Sequence, residues 1–149
     1  MAVGTFDRSH KGSQLPDFVL KDPAGKELRL ASLKGKPLLI NLWATWCAPC
    51  VAELPALDRL AGQSAASLKV LTVNQDMGKP EAVAPFLKTR GVTKLEPWLD
   101  PEGELAMHYN VQTLPTTIYY DAQGREVWRL TGAHDWTSAD TAKLLAEAN

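Results

Sequence analysis

The sequence is poor in cysteine, and its charges nearly cancel. Two cysteines, Cys47 and Cys50, occur among 149 residues, and the formal net charge is −1. A disulfide between residues so close in sequence closes a very short loop and stabilises a fold little, so the pair is better interpreted as reactive than as structural. The near-zero charge, without a basic stripe, argues against a nucleic acid as the main partner.

Long apolar runs are also missing. A membrane-spanning helix needs about 20 apolar residues, whereas the longest apolar run, residues 37–44, is shorter and contains Asn41. Residues 1–13 are polar, lack the apolar segment of a signal peptide and are predicted to be a tail or linker. Residues 14–149 suit one domain with its own core. A cytoplasmic protein and an extracytoplasmic one, whose signal or anchor lies outside this sequence, both stay open.

The apolar pattern predicts an α/β domain. The continuous apolar run at 37–44 indicates a central strand covered on both faces, and the three- and four-residue spacing after it indicates a helix over 48–62. A strand, a helix and a strand in succession imply a parallel pair, while hairpins add antiparallel strands, so the sheet should be mixed. The other elements expected are a hairpin at 14–30, strands at 68–73 and 96–99, helices at 79–90 and 103–109, a hairpin at 116–130 and a closing helix at 137–148.

The two cysteines fall where a buried strand gives way to a helix. Cys47 is expected at the helix N-terminus, where unpaired N–H groups and the helix dipole stabilise a thiolate. Cys50 follows on the same helical face, and Pro49 is tolerated because a first-turn N–H has no helical partner. The arrangement predicts that Cys47 attacks a substrate disulfide and that Cys50 then resolves the mixed disulfide.

A zinc site is the alternative interpretation of two closely spaced cysteines. Structural zinc usually takes four cysteine or histidine ligands. The chain contains no third cysteine, and His10, His108 and His134 show no ligand spacing. The redox interpretation is therefore favoured, and no metal site is predicted.

Two longer segments resemble the TlpA/ResA-like branch of the thioredoxin superfamily. One runs from Asn41 to Pro55 around Trp46-Cys47-Ala48-Pro49-Cys50, and the other runs from Tyr109 to Ile118. The resemblance covers nearly all of the chain after residue 14. It implies a thioredoxin fold with a mixed central sheet, helices on both faces and an added N-terminal β-hairpin.

The resemblance also implies how substrates bind. The Leu114–Pro115 peptide bond is expected to be cis and to pack against the cysteines, with the backbone before the proline pairing with an extended substrate. Thr113 and Leu114 are expected to shape the groove. Trp46, which offers apolar surface beside the disulfide, and Pro49 complete the predicted substrate contacts.

Asn41 stands where ordinary thioredoxins carry a buried aspartate. Because an amide cannot take up a proton, Asn41 cannot act as the base for Cys50. Glu53 lies one turn beyond Cys50, and helical side chains lean toward the N-terminus, so its carboxylate should point back toward the sulfurs. Glu53 is therefore a candidate proton shuttle, a role that the resemblance supports over that of a solvent-facing glutamate.

The resemblance further implies an extracytoplasmic reductase of protein disulfides, re-reduced by a membrane electron donor and possible in cytochrome c maturation. The Ala48-Pro49 dipeptide resembles that of reducing members more than that of strong oxidants. The sulfurs store the electrons, so no cofactor beyond the redox-active Cys47–Cys50 disulfide is expected. A monomer is expected too.

Two alternatives from other classes use the same fold. A copper chaperone would have a wider cysteine spacing and a distant histidine ligand. A thiol peroxidase would have an isolated cysteine in a Thr-x-x-Cys setting, which Thr45-Trp46-Cys47 lacks. Both are ranked below disulfide exchange.

Overall fold

The computed structural model describes residues 4–149. Within that range the chain forms eight strands and four α-helices, with short 3-10 helices at Leu30–Leu33 and Pro80–Ala82. The elements are β1 (Thr5–Asp7), β2 (Val19–Lys21), β3 (Glu27–Arg29), β4 (Leu38–Trp43), α1 (Ala48–Gln63), β5 (Lys69–Asn74), α2 (Val83–Thr89), β6 (Trp98–Leu99), α3 (Glu104–His108), β7 (Thr116–Tyr120), β8 (Glu126–Thr131) and α4 (Asp140–Ala146).

All eight strands belong to one mixed sheet. Their spatial order is β1-β8-β7-β4-β5-β6-β2-β3. The central strand β4 runs parallel to β5 and antiparallel to β7, as the sequence predicted for a crossover followed by a hairpin. The N-terminal hairpin β2–β3 forms one edge and joins β6 through the pair Lys21 and Leu99.

Strand β4 is central because both of its faces are apolar. Successive side chains of a strand point to opposite faces, and every residue of β4 is buried. Leu39 and Trp43 pack in a core with residues of α1, α2 and α4, whereas Leu38, Ile40 and Leu42 pack on the other face with Leu105 of α3. Each fully buried leucine contributes about 1.5–3 kcal/mol to folding. By the same alternation Asn41 faces α1.

The tail predicted for residues 1–13 is wrong in its described part. Thr5–Asp7 pairs antiparallel with β8, and Phe6 packs edge-on against Trp128 with ring centroids 5.1 Å apart. Farther along, the Gly12 N–H donates to the Glu126 carbonyl at 2.8 Å. A free edge of β8 offers backbone donors and acceptors that even a polar segment can satisfy. Residues 1–3 lie outside the described residues.

Candidate active site

Cys47 caps the N-terminus of α1. Its backbone is extended, with φ −98° and ψ 102°, and its Sγ accepts a hydrogen bond from the Cys50 backbone N–H at 3.3 Å. The Cys47 carbonyl accepts the first helical bond, from Val51 N–H at 3.0 Å. A sulfur in this position meets the unpaired N–H groups and the positive end of the helix dipole, so its thiolate form is favoured.

A disulfide joins Cys47 to Cys50, with their Cα atoms 5.3 Å apart. Cys47 is 6% exposed and Cys50 is 1% exposed. Both belong to the core between the sheet and α1, and the half-buried Leu114 packs against that core. The sulfur of Cys47 is therefore the one that an incoming partner reaches, while Cys50 lies behind it.

Two tryptophans flank the cysteines in different environments. Trp43 is 1% exposed and packs near Phe86, with ring centroids 5.8 Å apart, so it is a core residue. Trp46 is 72% exposed and offers an apolar surface directly before Cys47. Pro49, in the first turn of α1, is also exposed.

Asp76 holds the loop that carries Trp46. Its carboxylate accepts hydrogen bonds from the Thr45 backbone N–H at 2.8 Å and from the Thr45 hydroxyl at 2.5 Å. The Asn74 side chain in turn accepts from the Asp76 N–H at 2.9 Å. The loop after β5 is thereby tied to the active-site loop, a link that the sequence analysis missed because 31 residues separate the two positions.

Glu53 belongs to α1 and is buried, at 3% exposure, against the segment after β8. Its Oε1 accepts hydrogen bonds from the His134 backbone N–H at 2.6 Å and from the Trp136 indole N–H at 3.1 Å. Its Oε2 accepts from the Asn41 amide at 3.4 Å. The structure thus excludes the solvent-facing alternative for Glu53.

Burial raises the pKa of Glu53 from 4.5 to about 7, because removing the carboxylate from water disfavours its charge. The three hydrogen bonds from His134, Trp136 and Asn41 partly oppose this effect. All three donors are neutral. Glu53 can therefore change protonation state near neutral pH, the property that proton transfer to and from a thiol requires.

The Leu114–Pro115 peptide bond is cis. Pro115 is buried, and its carbonyl accepts a hydrogen bond from Gly132 N–H at 2.9 Å. Thr113 is exposed, and its carbonyl accepts from the Thr116 hydroxyl at 2.7 Å. Thr116 pairs with Leu42 near the end of β4, so this segment and the active-site loop leave the sheet at the same end.

His134 and Trp136 were missed as site residues. No sequence motif surrounds either residue. Trp136 is 3% exposed and packs with the His134 ring at 4.6 Å between centroids. Because they lie 81 and 83 residues from Glu53, no local spacing could reveal that they bind its carboxylate.

A cleft of about 520 Å³ lies between the N-terminal hairpin and the β6–α3 region, lined in part by Val19, Pro23 and Leu99. It contains none of the predicted site residues.

Within residues 4–149, no group of three or more His, Cys, Asp or Glu side chains is placed to hold a metal ion. None of the helices in that range is long and apolar enough to span a bilayer.

The sheet order, the Cys-x-x-Cys pair at the start of α1 and the buried glutamate one turn later define a class. They are features of a thioredoxin-fold protein that exchanges electrons through paired sulfurs. Comparison with known proteins makes the assignment more specific. The model of the AhpC/TSA family matches residues 11–127, and the chain belongs to that family.

Two similar proteins come from Bacillus subtilis (strain 168). The thioredoxin-like protein YneN is 38% identical over 116 residues, which cover 76% of this chain and 67% of YneN. The thiol-disulfide oxidoreductase ResA is 36% identical over 123 residues, which cover 82% of this chain and 68% of ResA. These similarities confirm the predicted TlpA/ResA-like character and identify the chain as a thiol-disulfide oxidoreductase.

Solved structures confirm the thioredoxin fold. A putative thiol:disulfide interchange protein DsbE from Chlorobium tepidum superposes with a TM-score of 0.79 at 26% identity, covering 93% of this chain and 98% of that one. The exposed lipoprotein thioredoxin Etrx1 from Streptococcus pneumoniae strain TIGR4 gives a TM-score of 0.75 at 31% identity, covering 87% of this chain and 98% of its own.

Proposed function

We propose that the chain reduces disulfides in protein substrates, with Cys47 as nucleophile and Cys50 as resolving thiol. In the reduced enzyme the Cys47 thiolate attacks one sulfur of a substrate disulfide, forming a mixed disulfide and releasing one substrate thiolate. Cys50 then loses its proton and attacks Cys47, which forms the internal disulfide and releases the second substrate thiolate. Two electrons pass from the enzyme to the substrate.

The position of Cys47 carries this proposal. Its sulfur caps α1, and Cys47 is the more exposed residue of the pair, at 6% against 1% for Cys50. The capped sulfur is the better thiolate and therefore the sulfur that attacks the substrate; when Cys50 attacks it in turn, the substrate sulfur leaves as a thiolate. The opposite assignment would require a partner to reach a sulfur enclosed by the core.

Glu53 serves Cys50 as proton acceptor. The two residues lie three apart on α1, where side chains are neighbours, and the Glu53 carboxyl leans toward the N-terminus. With a pKa of about 7, Glu53 is ionised often enough to accept a proton and protonated often enough to return it. Glu53 thus takes the proton when Cys50 attacks and gives it back when the disulfide is reduced.

Extended polypeptides are the substrates that this surface suits. Trp46 and Pro49 offer exposed apolar and rigid surface beside Cys47. Thr113, Leu114 and Pro115 form the segment that enters β7, and the backbone there can pair with an extended chain as an added strand does.

An extracytoplasmic location is supported by neighbours in structure. One of these neighbours, Etrx1, which is 31% identical to this chain, is named an exposed lipoprotein. In that compartment a membrane dithiol donor would re-reduce the Cys47–Cys50 disulfide, with no metal or organic cofactor and with the enzyme acting as a monomer. The similarity to ResA supports reduction of apocytochrome c cysteines as one such task.

Substrate trapping tests the assignment of the two cysteines. In Cys50→Ser, the mixed disulfide on Cys47 cannot be resolved, so protein substrates should accumulate as covalent adducts that a reductant releases. Cys47→Ser is the matched control, with the same loss of one sulfur. Equal trapping by Cys47→Ser would show that Cys50 is the nucleophile.

The role of Glu53 is tested by the pH profile of thiol alkylation in the reduced protein. Glu53→Gln keeps the shape and an acceptor oxygen but cannot exchange a proton, so the Cys50 profile should lose its inflection near neutral pH. Glu102→Gln, at an exposed position, is the charge-matched control. A Glu53→Gln profile that matches the native one would remove Glu53 from the mechanism.

The same preparations test the two alternative classes. Copper titration of the reduced protein should show no tight stoichiometric binding, and peroxide consumption should stay at the level of Cys47→Ser. Stoichiometric copper retention would favour the chaperone, and peroxide turnover dependent on Cys47 would favour the peroxidase.

A further inference from the structure

Asn41 presents an unusual buried amide at the centre of the sheet. It lies on β4 and is 1% exposed. Its Nδ2 donates hydrogen bonds to the Thr117 hydroxyl at 3.1 Å and to Glu53 Oε2 at 3.4 Å. Its Oδ1 has no hydrogen-bond partner among residues 4–149. A buried acceptor without a partner is uncommon in folded proteins, and it calls for an explanation.

The two protonation states of Glu53 require opposite partners. The ionised carboxylate only accepts hydrogen bonds, whereas the neutral carboxyl must also donate one. Two N–H groups, from His134 and Trp136, already occupy Oε1. A proton taken up by Glu53 is therefore best placed on Oε2, which faces the Asn41 amide. There the NH₂ group of Asn41 cannot accept it.

Rotation of the Asn41 amide by half a turn removes this conflict. Oδ1 would then face both Glu53 Oε2 and the Thr117 hydroxyl, and it could accept a hydrogen bond from each. A hydroxyl donates as readily as it accepts, so Thr117 suits both orientations. Since the far side of the amide has no partner, no hydrogen bond there holds the amide in one orientation.

We propose that Asn41 is a positioning residue whose side-chain amide reverses orientation when Glu53 gains or loses a proton. The inference rests on the proposed role of Glu53 as proton acceptor for Cys50. The reversal explains why an amide suits this position, because the amide offers a donor to ionised Glu53 and an acceptor to neutral Glu53. The proton itself moves only between Cys50 and Glu53.

Few other titratable groups face Glu53. On α1 the neighbour is Cys50, which does not titrate while the disulfide is closed. From the segment after β8 comes the His134 ring, whose Nε2 lies 3.1 Å from the Thr141 hydroxyl and whose pKa burial lowers. On the sheet, Asn41 and Thr117 are neutral. In the oxidised protein a transition of the Asn41 amide near neutral pH can therefore be attributed to Glu53 once the His134 ring is followed separately.

Nuclear magnetic resonance of the oxidised protein between pH 4 and 9 tests the proposal without any activity measurement. The Glu53 carboxyl carbon and the Asn41 side-chain NH₂ should titrate with one midpoint, and the contacts of the NH₂ protons with Glu53 should weaken at low pH. In Glu53→Gln the Asn41 transition should vanish. Constant Asn41 resonances across the Glu53 titration would overturn the proposal, even if Glu53 proves essential for thiol reactivity.

Two threonines beside Asn41 provide a matched pair of variants. In the sheet register, Asn41 lies opposite Thr117 on β7 and opposite Thr72 on β5. The Thr117 hydroxyl contacts the amide, whereas the Thr72 hydroxyl donates to the Glu96 carbonyl at 3.5 Å. Thr117→Val should change the pH response of the Asn41 amide, and Thr72→Val should leave it as in the native protein. Equal responses in both variants would contradict the proposed geometry.

Asn41→Leu tests the consequence for Glu53. Asn41→Leu removes a donor from the ionised carboxylate and an acceptor from the neutral carboxyl. Because a hydrogen bond to a charged group is the stronger of the two, the Glu53 midpoint should still move upward, by somewhat less than about one pH unit. The inflection in the thiol reactivity profile should move with it. An unchanged midpoint in folded Asn41→Leu would show that the amide does not act on Glu53. The native titration decides the matter if this variant does not fold.

Discussion

Two glutamates in this molecule are similarly buried but accept hydrogen bonds from different kinds of donor. Glu53, on α1, is 3% exposed, and Glu126, on β8, is 2% exposed. Glu126 accepts from Arg129 through both oxygens, at 2.7 and 3.1 Å. Among residues 4–149, the groups that donate to Glu53 are all neutral: a backbone N–H, an indole and an amide.

The comparison shows that supplying a buried carboxylate with hydrogen bonds is different from neutralising its charge. A guanidinium supplies both hydrogen bonds and the opposite charge, and the bond to Glu126 contributes to the raised pKa of Arg129 against the opposing effect of its own burial. Neutral donors leave the cost of burying the charge largely uncompensated, which is why the pKa of Glu53 rises to about 7. The ion pair of Glu126 and Arg129 stabilises the fold, whereas the neutral donors of Glu53 allow its carboxyl to gain and lose a proton.

Removing the cation from the Glu126 site should have the largest effect. Arg129→Met leaves a buried carboxylate without its partner, so the free energy of unfolding should fall by about 3–5 kcal/mol. Denaturation by urea measures it. Adding Glu126→Gln to Arg129→Met removes the orphaned charge and should restore part of the stability. A loss below about 1 kcal/mol in the single variant would mean that Glu126 does not depend on Arg129.

The Glu53 site should instead make stability depend on pH. Its folded pKa of about 7 lies above the ordinary value of 4.5, so between these values the folded protein binds more protons than the unfolded chain. Stability from this group is fully present below pH 4.5 and is lost as the pH rises through 7, on the order of 3 kcal/mol in total. In Glu53→Gln this slope should disappear. A pH-independent difference between the native protein and the variant would contradict the assignment.

Trp136→Phe tests whether neutral donors set the pKa of Glu53. The variant keeps an aromatic ring but removes the indole N–H that donates to Oε1 at 3.1 Å. The ionised form should lose about 1 kcal/mol, which raises the pKa by somewhat less than one pH unit. Carboxyl resonances measure the shift. Trp128→Phe, whose indole donates to the Leu144 carbonyl at 3.1 Å, is the control and should leave Glu53 unchanged.

The smallest effect on stability is expected for an arginine–glutamate pair at the surface. Its geometry is a fork, in which one guanidinium donates two hydrogen bonds to one carboxylate. Arg8 donates to Glu147 at 2.8 and 2.7 Å, much as Arg129 donates to Glu126, but the two side chains are 47% and 34% exposed. Arg8→Met should cost at most about 1 kcal/mol, and less at high salt. A cost equal to that of Arg129→Met would show that fork geometry, not burial, sets the strength of these pairs.

Much of the fold follows from local sequence patterns. The apolar run at 37–44 predicts β4, and the helical spacing from residue 48 predicts α1, which the structure places at Ala48–Gln63. The short strand β1 was missed because Thr5–Asp7 is too brief for a periodic pattern and is held by its pairing with β8. Strands of this kind depend on a partner that is distant in sequence.

The reactive pair can be identified from local sequence. Two local features are enough: the spacing of Cys47 and Cys50, and the strand-to-helix junction that makes Cys47 an N-cap. The position of Glu53 one turn later is equally local. Helix geometry therefore sufficed for the two cysteines, whereas the role of Glu53 also rested on the resemblance to the TlpA/ResA-like branch.

The chemistry available to Glu53, in contrast, depends on how the chain packs. Its donors come from Asn41, 12 residues away, and from His134 and Trp136, 81 and 83 residues away. Within the described range, folding brings these neutral groups, and no cation, into hydrogen-bond contact with a carboxylate that the core removes from water. Burial and the absence of a cation among its hydrogen-bond donors in residues 4–149 are properties of the packed chain, and together they raise the pKa of Glu53 to the range where a thiol can exchange its proton.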